Sequence, residues 1–434
     1  MPFLRRVTYF FDLPLILFPI GDFFFGGIYM SAIGGIFDIS GGEIEFSSLN
    51  RMRIAMSMRG RKRSSAYLGG NVGIIRNSSS PEAFSENEDA QPAIFERGGH
   101  SFSLAMDSEL LFSSAVFEGY RVSGVDFLGA LGGSFALALY DGERRMLLLA
   151  RDKKGKKPLF YRIYKGQVYF ASEVKGLTAA IGGSLAVSRE MLSLHLCAPF
   201  GVYRATNILP DISEVLPGEC ILFTELGMSR FRYRERAKGS ASRSFGKRER
   251  VFAPHPQFNA HELRDLLSSA LIAFDYPQFD CDMLGLCRLF YEAEQRGEQR
   301  VLFEDRARRK SLSYAEERED RLGALYQIEA IGRIAREDNR ADPEALFRMR
   351  ERLVSMILAL DGRQTAFLSD ILGERKLDFL MRRFERGSDE KKKDTESEIR
   401  ILGMLYQTVM WAESRELVIK STGDTLLQSA LSTI

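Results

Sequence analysis

Short apolar segments separated by glycine- and charge-rich turns dominate residues 132–177 of this chain. Three of these segments, Ser134–Tyr140, Met146–Ala150 and Gln167–Ala171, have the length and composition of β-strands. The residues between them combine glycine with clustered charge, which is typical of turns rather than of continuing strands. The pattern therefore predicts a β-meander in this part of the chain.

The pattern changes after Lys238–Lys247, a polar segment rich in Gly, Ser and Arg that is typical of a linker. Apolar residues then recur at helical spacing in His261–Ala273 and again in Glu398–Ile419. Two short apolar runs, Arg300–Glu304 and Thr365–Ser369, have the length of buried parallel strands. The sequence predicts a β-rich amino-terminal unit and a mostly helical α/β unit after the linker.

Residues 1–29 differ from the rest in their density of Phe, Leu and Ile. A signal peptide or membrane helix would need an uninterrupted apolar run, since buried acids are costly in lipid and prolines break helices. Codons for Gly26–Gly27 resemble a bacterial ribosome-binding site upstream of Met30, so residues 1–29 are interpreted as a mis-assigned leader or, alternatively, as an apolar amino-terminal extension. With a start at Met30, no contact with a membrane is expected. The residues that interrupt the apolar run are Asp12, Pro14, Pro19 and Asp22.

The length and composition of the chain limit the number of domains and the kinds of ligand that are expected. A chain of 434 residues is expected to hold two or three domains. Its 60 basic and 58 acidic residues leave a net charge of +2, which gives no indication of nucleic-acid binding. Four cysteines without CxxC spacing favour reduced thiols and a cytoplasmic protein. Four histidines without an HxxxH or HExxH pair argue against a zinc site.

Several motifs can be matched once the chain is read from Met30, where it begins MSAIGGIFD. Ala150–Arg151–Asp152 is followed by Gly155 and Lys157–Pro158, and the last strand of the meander ends in Ala171–Ser172–Glu173. These motifs resemble the class II glutamine amidotransferase domain as it occurs in asparagine synthetases. The resemblance covers residues 30–235 and implies an N-terminal nucleophile hydrolase fold over 30–237, a four-layer αββα sandwich of antiparallel sheets. The turn motifs are interpreted as structural.

The resemblance implies positions for a nucleophile and a substrate carboxylate. In the family, a cysteine exposed by removal of methionine attacks the glutamine amide, and its own α-amino group is the base. Ser31 stands at that position, and its hydroxyl is a weaker nucleophile than the cysteine thiolate. Alternatively, Ser31 is simply the first residue of an inner strand. Arg59 resembles the arginine that binds the glutamine α-carboxylate. The residues that follow Arg59–Gly60 are basic where the family has Pro-Asp-Asp.

Asp107–Ser108–Glu109, which follows Gln91–Pro92, can be aligned with the family in two ways. In the first it resembles Asn-Gly-Glu, whose Asn side chain and Gly amide form the oxyanion hole, and an ionised carboxylate cannot donate there. In the second it resembles a Ser-Asp-Thr-Glu segment whose Asp holds the substrate amine. Either way half of the glutaminase site is missing. The candidate substrate-binding residues are Arg59, Asp107, Ser108 and Glu109.

In asparagine synthetases the linker leads to an ATP-pyrophosphatase domain with a Ser-Gly-Gly-x-Asp-Ser phosphate loop. Here residues 274–286 read FDYPQFDCDMLGL and contain no paired glycines. The acids Asp275, Asp280 and Asp282 match no calcium loop and are interpreted as part of a turn. Residues 261–434 are therefore interpreted as a truncated, mostly helical remnant of that domain. The family uses ATP and Mg²⁺, but no cofactor is predicted from this segment.

Three interpretations of the function stay open. The chain is an asparagine-synthetase-like protein, ancestrally an ATP-dependent amide transferase from glutamine to aspartate, in which both half-reactions are impaired. Alternatively it is a non-catalytic binding or regulatory partner in a biosynthetic or peptide-modification pathway. That role would use an amino-acid or peptide ligand, a protein partner or a homodimer. The third interpretation is an N-terminal serine amidohydrolase that uses Ser31 after a start at Met30.

Overall fold

The computed structural model describes part of the chain. The described residues are 7–11, 31–60, 63–78, 92–108, 112–153, 155, 157–197, 208–233, 263, 267, 277, 343–385, 395–414 and 417–420. Several predicted features lie wholly or mainly outside them: residues 1–29 apart from Val7–Phe11, Glu109, the Lys238–Lys247 linker, the helix His261–Ala273 apart from Leu263 and Leu267, the segment 274–286 apart from Pro277, and the run Arg300–Glu304.

Two antiparallel sheets form the amino-terminal unit. The first has seven strands in the order β1-β3-β4-β2-β10-β9-β12. Its core strand β2 lies between β4 and β10, and every adjacent pair runs antiparallel. The strands are β1 (Val7–Phe11), β2 (Ser31–Asp38), β3 (Arg63–Gly69), β4 (Val72–Ser78), β9 (Phe160–Tyr164), β10 (Gln167–Ala171) and β12 (Ser213–Glu214).

The second sheet has six strands in the order β14-β13-β8-β7-β6-β5 and is also antiparallel throughout. The predicted meander is therefore only partly correct. Its first two strands are neighbours in this sheet, but its third strand, β10, belongs to the seven-stranded sheet. The strands are β5 (Ala93–Arg97), β6 (His100–Ser108), β7 (Phe135–Asp141), β8 (Met146–Arg151), β13 (Glu219–Thr224) and β14 (Gly227–Arg232).

Successive side chains of β7 alternate between two hydrophobic cores, which shows how the layers stack. Ala136, Ala138 and Tyr140 face the core between the two sheets. Phe135 and the leucines at 137 and 139 face the opposite side, where they pack against helix α2 (Ser113–Ser123) and the following 3-10 helix Gly124–Ala130. Successive strand side chains point to opposite faces, so a strand buried on both faces carries apolar residues throughout.

The outer layers are helical and complete the predicted αββα sandwich. Helices α1 and α3 pack against the free face of the seven-stranded sheet, and α2 covers the six-stranded sheet. Leu49 and Met52 of α1 meet Val174 and Leu177 of α3 in one buried cluster. The helices of this unit are α1 (Phe46–Ala55), α2 (Ser113–Ser123), α3 (Val174–Ile181) and α4 (Arg189–Cys197).

The described part of the second unit is mostly helical, as predicted. A short parallel pair of strands joins it to the first unit. Its buried side chains, with Leu263 and Leu267, belong to the same cluster as those of α1 and α3, so the two parts of the chain share a core. The elements are β11 (Leu185–Ser188), which pairs with β15 (Leu417–Lys420), and helices α5 (Pro343–Leu358), α6 (Gly362–Leu372), α7 (Glu374–Glu385) and α8 (Thr395–Glu413).

Two predictions for this unit are wrong. The run Thr365–Ser369 is not a strand but lies inside α6, because Asp361 and Gln364 form a capping box that starts a helix there. The predicted helix Glu398–Ile419 ends at Glu413, and Leu417–Lys420 is a strand that pairs with β11. A local apolar pattern cannot reveal a partner that lies more than 200 residues earlier in the chain.

The turn after β8 confirms the structural interpretation of its motif. The Arg151 guanidinium donates to the Gly155 carbonyl at 2.6 Å and forms a buried ion pair with Glu214. The Asp152 carboxylate accepts from the backbone nitrogens of Phe135 and Lys157, at 3.2 and 3.3 Å. These side chains hold the turn against β7 and fix the start of the segment that contains Lys157.

Substitution of Gly155 by alanine is expected to lower the free energy of unfolding by about 3 kcal/mol. The φ of Gly155 is +60°, and an added Cβ would lie 2.6 Å from Cγ of Pro217. Gly70 is the matched control, because its φ is +62° and an added Cβ would meet nothing within 4 Å. Gly70→Ala should lower stability by only about 1 kcal/mol. Chemical denaturation of the two variants measures the difference, and equal losses would contradict the steric explanation.

Candidate functional site

Ser31 lies at the start of the central strand β2 and is buried, with 8% of its surface exposed. It stands opposite Ser78 of β4, and its Oγ accepts a hydrogen bond from Nη2 of Arg76 at 3.3 Å. The same Arg76 side chain donates through Nε to the Met106 carbonyl at 3.1 Å. Ser31 is therefore the first residue of an inner strand, which is one of the two interpretations that the sequence left open. The guanidinium of Arg76 lies beside its hydroxyl.

Arg59 reaches the same point from the 3-10 turn Ser57–Arg59, which follows α1. Its Nε donates to the Ser31 carbonyl at 3.3 Å. The following residue must be small, because a Cβ on Gly60 would lie 2.3 Å from the backbone of Asn77 and Ser78. The Arg59–Gly60 motif thus lets the turn pack directly on β4 and directs the arginine toward the start of β2.

Asp107 lies near the end of β6 in the other sheet, with 1% of its side chain exposed. Its Oδ2 accepts a hydrogen bond from Nη2 of Arg59 at 3.2 Å, and Nζ of Lys157 lies 3.1 Å from Oδ1. Within the described residues no donor is aligned for a hydrogen bond to Oδ1, so the Lys157 contact is an ion pair. The structure therefore brings Ser31, Arg59 and Asp107 together from three separate segments.

The last two candidate residues adjoin Asp107. Ser108 ends β6 opposite Phe135 of β7 and is partly exposed. Glu109 lies outside the described residues. The roles of these residues in binding a substrate, and the choice between the two alignments of their motif, stay predictions.

Two cations of this cluster were not predicted as site residues. Lys157 was assigned only to a structural turn, and its contact with Asp107 depends on the folding of that turn against β7. Arg76 was not singled out at all. The available signal was a charge inside the strand Val72–Ser78, whose neighbouring residues are buried. A charged residue in a buried strand usually has a polar partner.

Cys220 is the cysteine of the chain whose side chain the structure describes. It is completely buried in β13, and burial raises the pKa of its thiol far above the ordinary value. Since the thiolate is the reactive form, this thiol is unreactive at neutral pH. Cys220 therefore does not replace the nucleophile that the resemblance implies at position 31.

Comparisons with known proteins find sequences similar to part of this chain. Residues 89–234 match the family model described as a glutamine amidotransferase domain. Over 135 residues the chain is 32% identical to asparagine synthetase [glutamine-hydrolyzing] 3 of Bacillus subtilis strain 168. This region is an asparagine-synthetase-like glutamine amidotransferase domain. A further relative is asparagine synthetase B [glutamine-hydrolyzing] of Escherichia coli K12, 38% identical over 79 residues, 18% of this chain and 13% of that protein.

The asparagine-synthetase-like region is only part of either protein. The match to the Bacillus subtilis synthetase covers 31% of this chain and 21% of the relative, so the chain aligns with about a fifth of that enzyme. Among solved structures, the glutamine phosphoribosylpyrophosphate amidotransferase of Bacillus subtilis, solved with ADP and GMP, is 16% identical with a TM-score of 0.27. That alignment covers 46% of this chain and 49% of the other.

The family match begins at residue 89, so Ser31 and Arg59 lie outside it. What links them to the asparagine-synthetase-like region is the contact of Arg59 with Asp107, which lies inside the match. In the described part of the chain, no helix is long and apolar enough to cross a lipid bilayer.

Proposed function

We propose that this asparagine-synthetase-like protein has lost glutamine hydrolysis and acts as a non-catalytic binding or regulatory partner. The observation that carries the proposal is the carboxylate of Asp107, which is buried between Arg59 and Lys157. In the first alignment of the sequence, this position is the one where the family has a donor to the oxyanion. The ligand class expected for the binding role is an amino acid or a peptide end.

An ionised carboxylate is the wrong group for an oxyanion hole. It accepts hydrogen bonds but does not donate them, and it repels the negative charge that develops on the substrate oxygen. Loss of a single oxyanion donor lowers kcat on the order of a hundred- to a thousand-fold. Here the Asp107 carboxylate forms ion pairs with Arg59 and Lys157, so an acceptor stands where the first alignment has the donor.

The nucleophile is weak as well. A serine hydroxyl needs an adjacent base, and the guanidinium of Arg76 that contacts Ser31 Oγ carries no proton acceptor. The α-amino group of Ser31 could act as the base only after the bond between Met30 and Ser31 is cut. Under this proposal, the Ser31 hydroxyl is not activated, and the Asp107 carboxylate stands where a hydrogen-bond donor is needed.

The wild-type protein and Ser31→Ala are expected to release ammonia from glutamine at the same background rate. Coupled detection of ammonia with glutamine alone, and with ATP, Mg²⁺ and aspartate added, measures this rate. A glutamine-hydrolysing asparagine synthetase serves as the positive control. Ammonia release that depends on Ser31, or formation of asparagine, would overturn the proposal.

One contact favours a second candidate, an N-terminal serine amidohydrolase. The Arg76 guanidinium, 3.3 Å from Ser31 Oγ, would stabilise an alkoxide at that oxygen. This function requires a mature chain that begins at Ser31. Mass spectrometry of the native amino terminus, combined with amide hydrolysis that disappears in Ser31→Ala, would support it. A peptide from residues 7–29 in cell extract would oppose it.

The second unit has no part in catalysis under this proposal. Its segment 274–286 lacks the paired glycines that hold phosphate, so this segment does not fit ATP, and no step of the proposed function uses the nucleotide. The two units share one hydrophobic core, so under this proposal they act together when the protein binds a protein partner or forms a homodimer. Calorimetry with ATP-Mg²⁺, glutamine and aspartate should show no binding of the nucleotide.

A further inference from the structure

The strand β14 forms one edge of the six-stranded sheet, and none of the described strands lies beyond it. It pairs with β13 in an unbroken antiparallel register, from Thr224 opposite Gly227 to Glu219 opposite Arg232. Five of its six residues are exposed. Natural edge strands are often very short, bulged, covered or interrupted by proline, and β14 shows none of these features. What it carries is charge, so the edge is open to a strand of the right composition.

The alternation of an antiparallel ladder assigns the backbone groups on this edge. Residues that bond to the neighbouring strand alternate with residues whose N–H and C=O groups point away from it. The Tyr233 amide, which follows β14, donates to the Gly218 carbonyl at 3.2 Å. The odd-numbered residues of β14 therefore bond to β13. The N–H and C=O groups of Met228, Arg230 and Arg232 point away from β13, and these are the groups that a further strand would pair with.

The side chains of the same three residues share one face of the strand. Nε of Arg230 lies 3.0 Å from Oε1 of Glu219, and its guanidinium lies 5.9 Å from the centre of the Tyr161 ring. Arg232 is exposed and forms no ion pair with the described part of the chain. Met228 is 42% exposed. The edge thus offers an apolar side chain at its start and positive charge toward its end.

We propose that β14 is a docking edge for an acidic, extended segment of a partner protein, which adds to the sheet as an antiparallel strand. Its main-chain groups pair with those of Met228, Arg230 and Arg232. Carboxylates at alternate positions lie opposite the two arginines, and an apolar residue follows opposite Met228. The inference deepens the proposed function, on which it rests only for the expectation that a protein partner exists.

Charge decides between a foreign partner and a second copy of this chain. An antiparallel pair of β14 strands would bring Arg230 of the two copies close together on the same face, where like charges are destabilising. The sequence also stays basic after the strand, since residues 230–238 contain five cations and one acid. An acidic strand instead places opposite charges on this edge, and the attraction speeds its association.

Binding of a synthetic peptide tests the edge directly. In the probe, threonine alternates with two glutamates and then a valine, so that an antiparallel strand sets its acids opposite the arginines. Fluorescence anisotropy of the labelled probe measures its Kd. Arg232→Glu is expected to weaken binding by about tenfold or more. The matched control is Arg97→Glu, at the exposed end of the opposite edge strand β5, which should leave the Kd unchanged.

Backbone changes separate strand addition from a purely electrostatic contact. N-methylation of alternate peptide amides removes the donors on one edge of the added strand. One set of methylated amides should abolish binding and the other set should leave it intact, because only one edge faces β14. In the protein, Met228→Pro removes an N–H that points away from β13, so the variant should fold and lose the peptide. Thermal unfolding of the variant checks that it is folded.

Several outcomes would overturn the docking edge. They are an absence of peptide binding to the wild type, equal effects of the two methylation sets, and binding that Arg232→Glu does not weaken. Self-association of the wild type that Met228→Pro abolishes would assign the edge to a second copy and would also overturn it. If Met228→Pro does not fold, the methylated peptides decide the question, because they leave the protein unchanged.

The docking edge and the loss of glutamine hydrolysis fail separately. The ammonia assay contains no peptide, so an absence of peptide binding would leave the loss of glutamine hydrolysis intact. Ser31-dependent ammonia release would overturn the proposed function, whereas binding of the acidic peptide at β14 would stand.

Discussion

Replacing Glu398 by alanine is expected to lower the free energy of unfolding by about 3 kcal/mol. Glu398 accepts from Nε of Arg350 at 2.7 Å, and the Arg350 side chain is only 1% exposed. Removal of the acid leaves a buried guanidinium without its main counter-charge. The loss should lie near the lower end of the range for broken buried pairs, because Glu351 and the Phe384 carbonyl also contact Arg350.

Arg383→Ala is the matched control for this pair. Arg383 contacts the same carboxylate at 3.3 Å, but 44% of its side chain is exposed, so its loss should change stability by less than about 1 kcal/mol. Unfolding in guanidinium chloride can be followed by fluorescence, because the chain contains a single tryptophan, Trp411, which is buried in the same cluster of helices. Equal losses in Glu398→Ala and Arg383→Ala would contradict the buried-pair explanation.

Trp411→Ala is expected to destabilise the protein by about 3–5 kcal/mol. Trp411 lies in α8, is completely buried, and belongs to the core that both parts of the chain share. Its truncation removes a large apolar surface and leaves a cavity that the surrounding helices fill only partly. Because the substitution removes the fluorescent reporter, far-UV circular dichroism is the measurement.

Phe379→Ala is the control that separates the loss of buried surface at Trp411 from the loss of any aromatic ring. Phe379 of α7 is 65% exposed, so its truncation should change stability by no more than about 0.5 kcal/mol. Trp411→Phe should fall between the two, since it keeps part of the buried ring. A loss in Trp411→Ala as small as that in Phe379→Ala would show that the helices do not form the core described above.

The sandwich was predicted from motifs in residues 30–235 that resemble the glutamine amidotransferase domain, and the apolar pattern indicated three of its strands. In β7, alternate residues serve two different cores, and the motif Arg151–Asp152 with Gly155 fixes the turn that follows β8. The assignment of β10 to the other sheet could not be predicted, because a strand pattern indicates burial but does not name the partner. The run Thr365–Ser369 was misassigned for a related reason: a short apolar run fits a strand or a buried helix equally well.

The candidate site could also be predicted only in part from the sequence. Ser31, Arg59 and Asp107 were recognised by their motifs, and the structure brings all three together. Arg76 and Lys157 were missed as site residues because their role depends on distances between segments that are remote in the sequence. A motif search finds residue types at fixed spacing, whereas an ion pair is set by how turns and sheets pack.

The sequence alone indicated the resemblance to the glutamine amidotransferase domain, several of its strands and the residue types at the candidate site. These are local properties, since they depend on periodicity and on motifs within a few neighbouring residues. The folded chain was needed to show that the Asp107 carboxylate lies between Arg59 and Lys157, and that β15 pairs with β11. Both facts join parts of the chain that are brought together by packing, and electrostatic contacts act over distance in space rather than along the sequence.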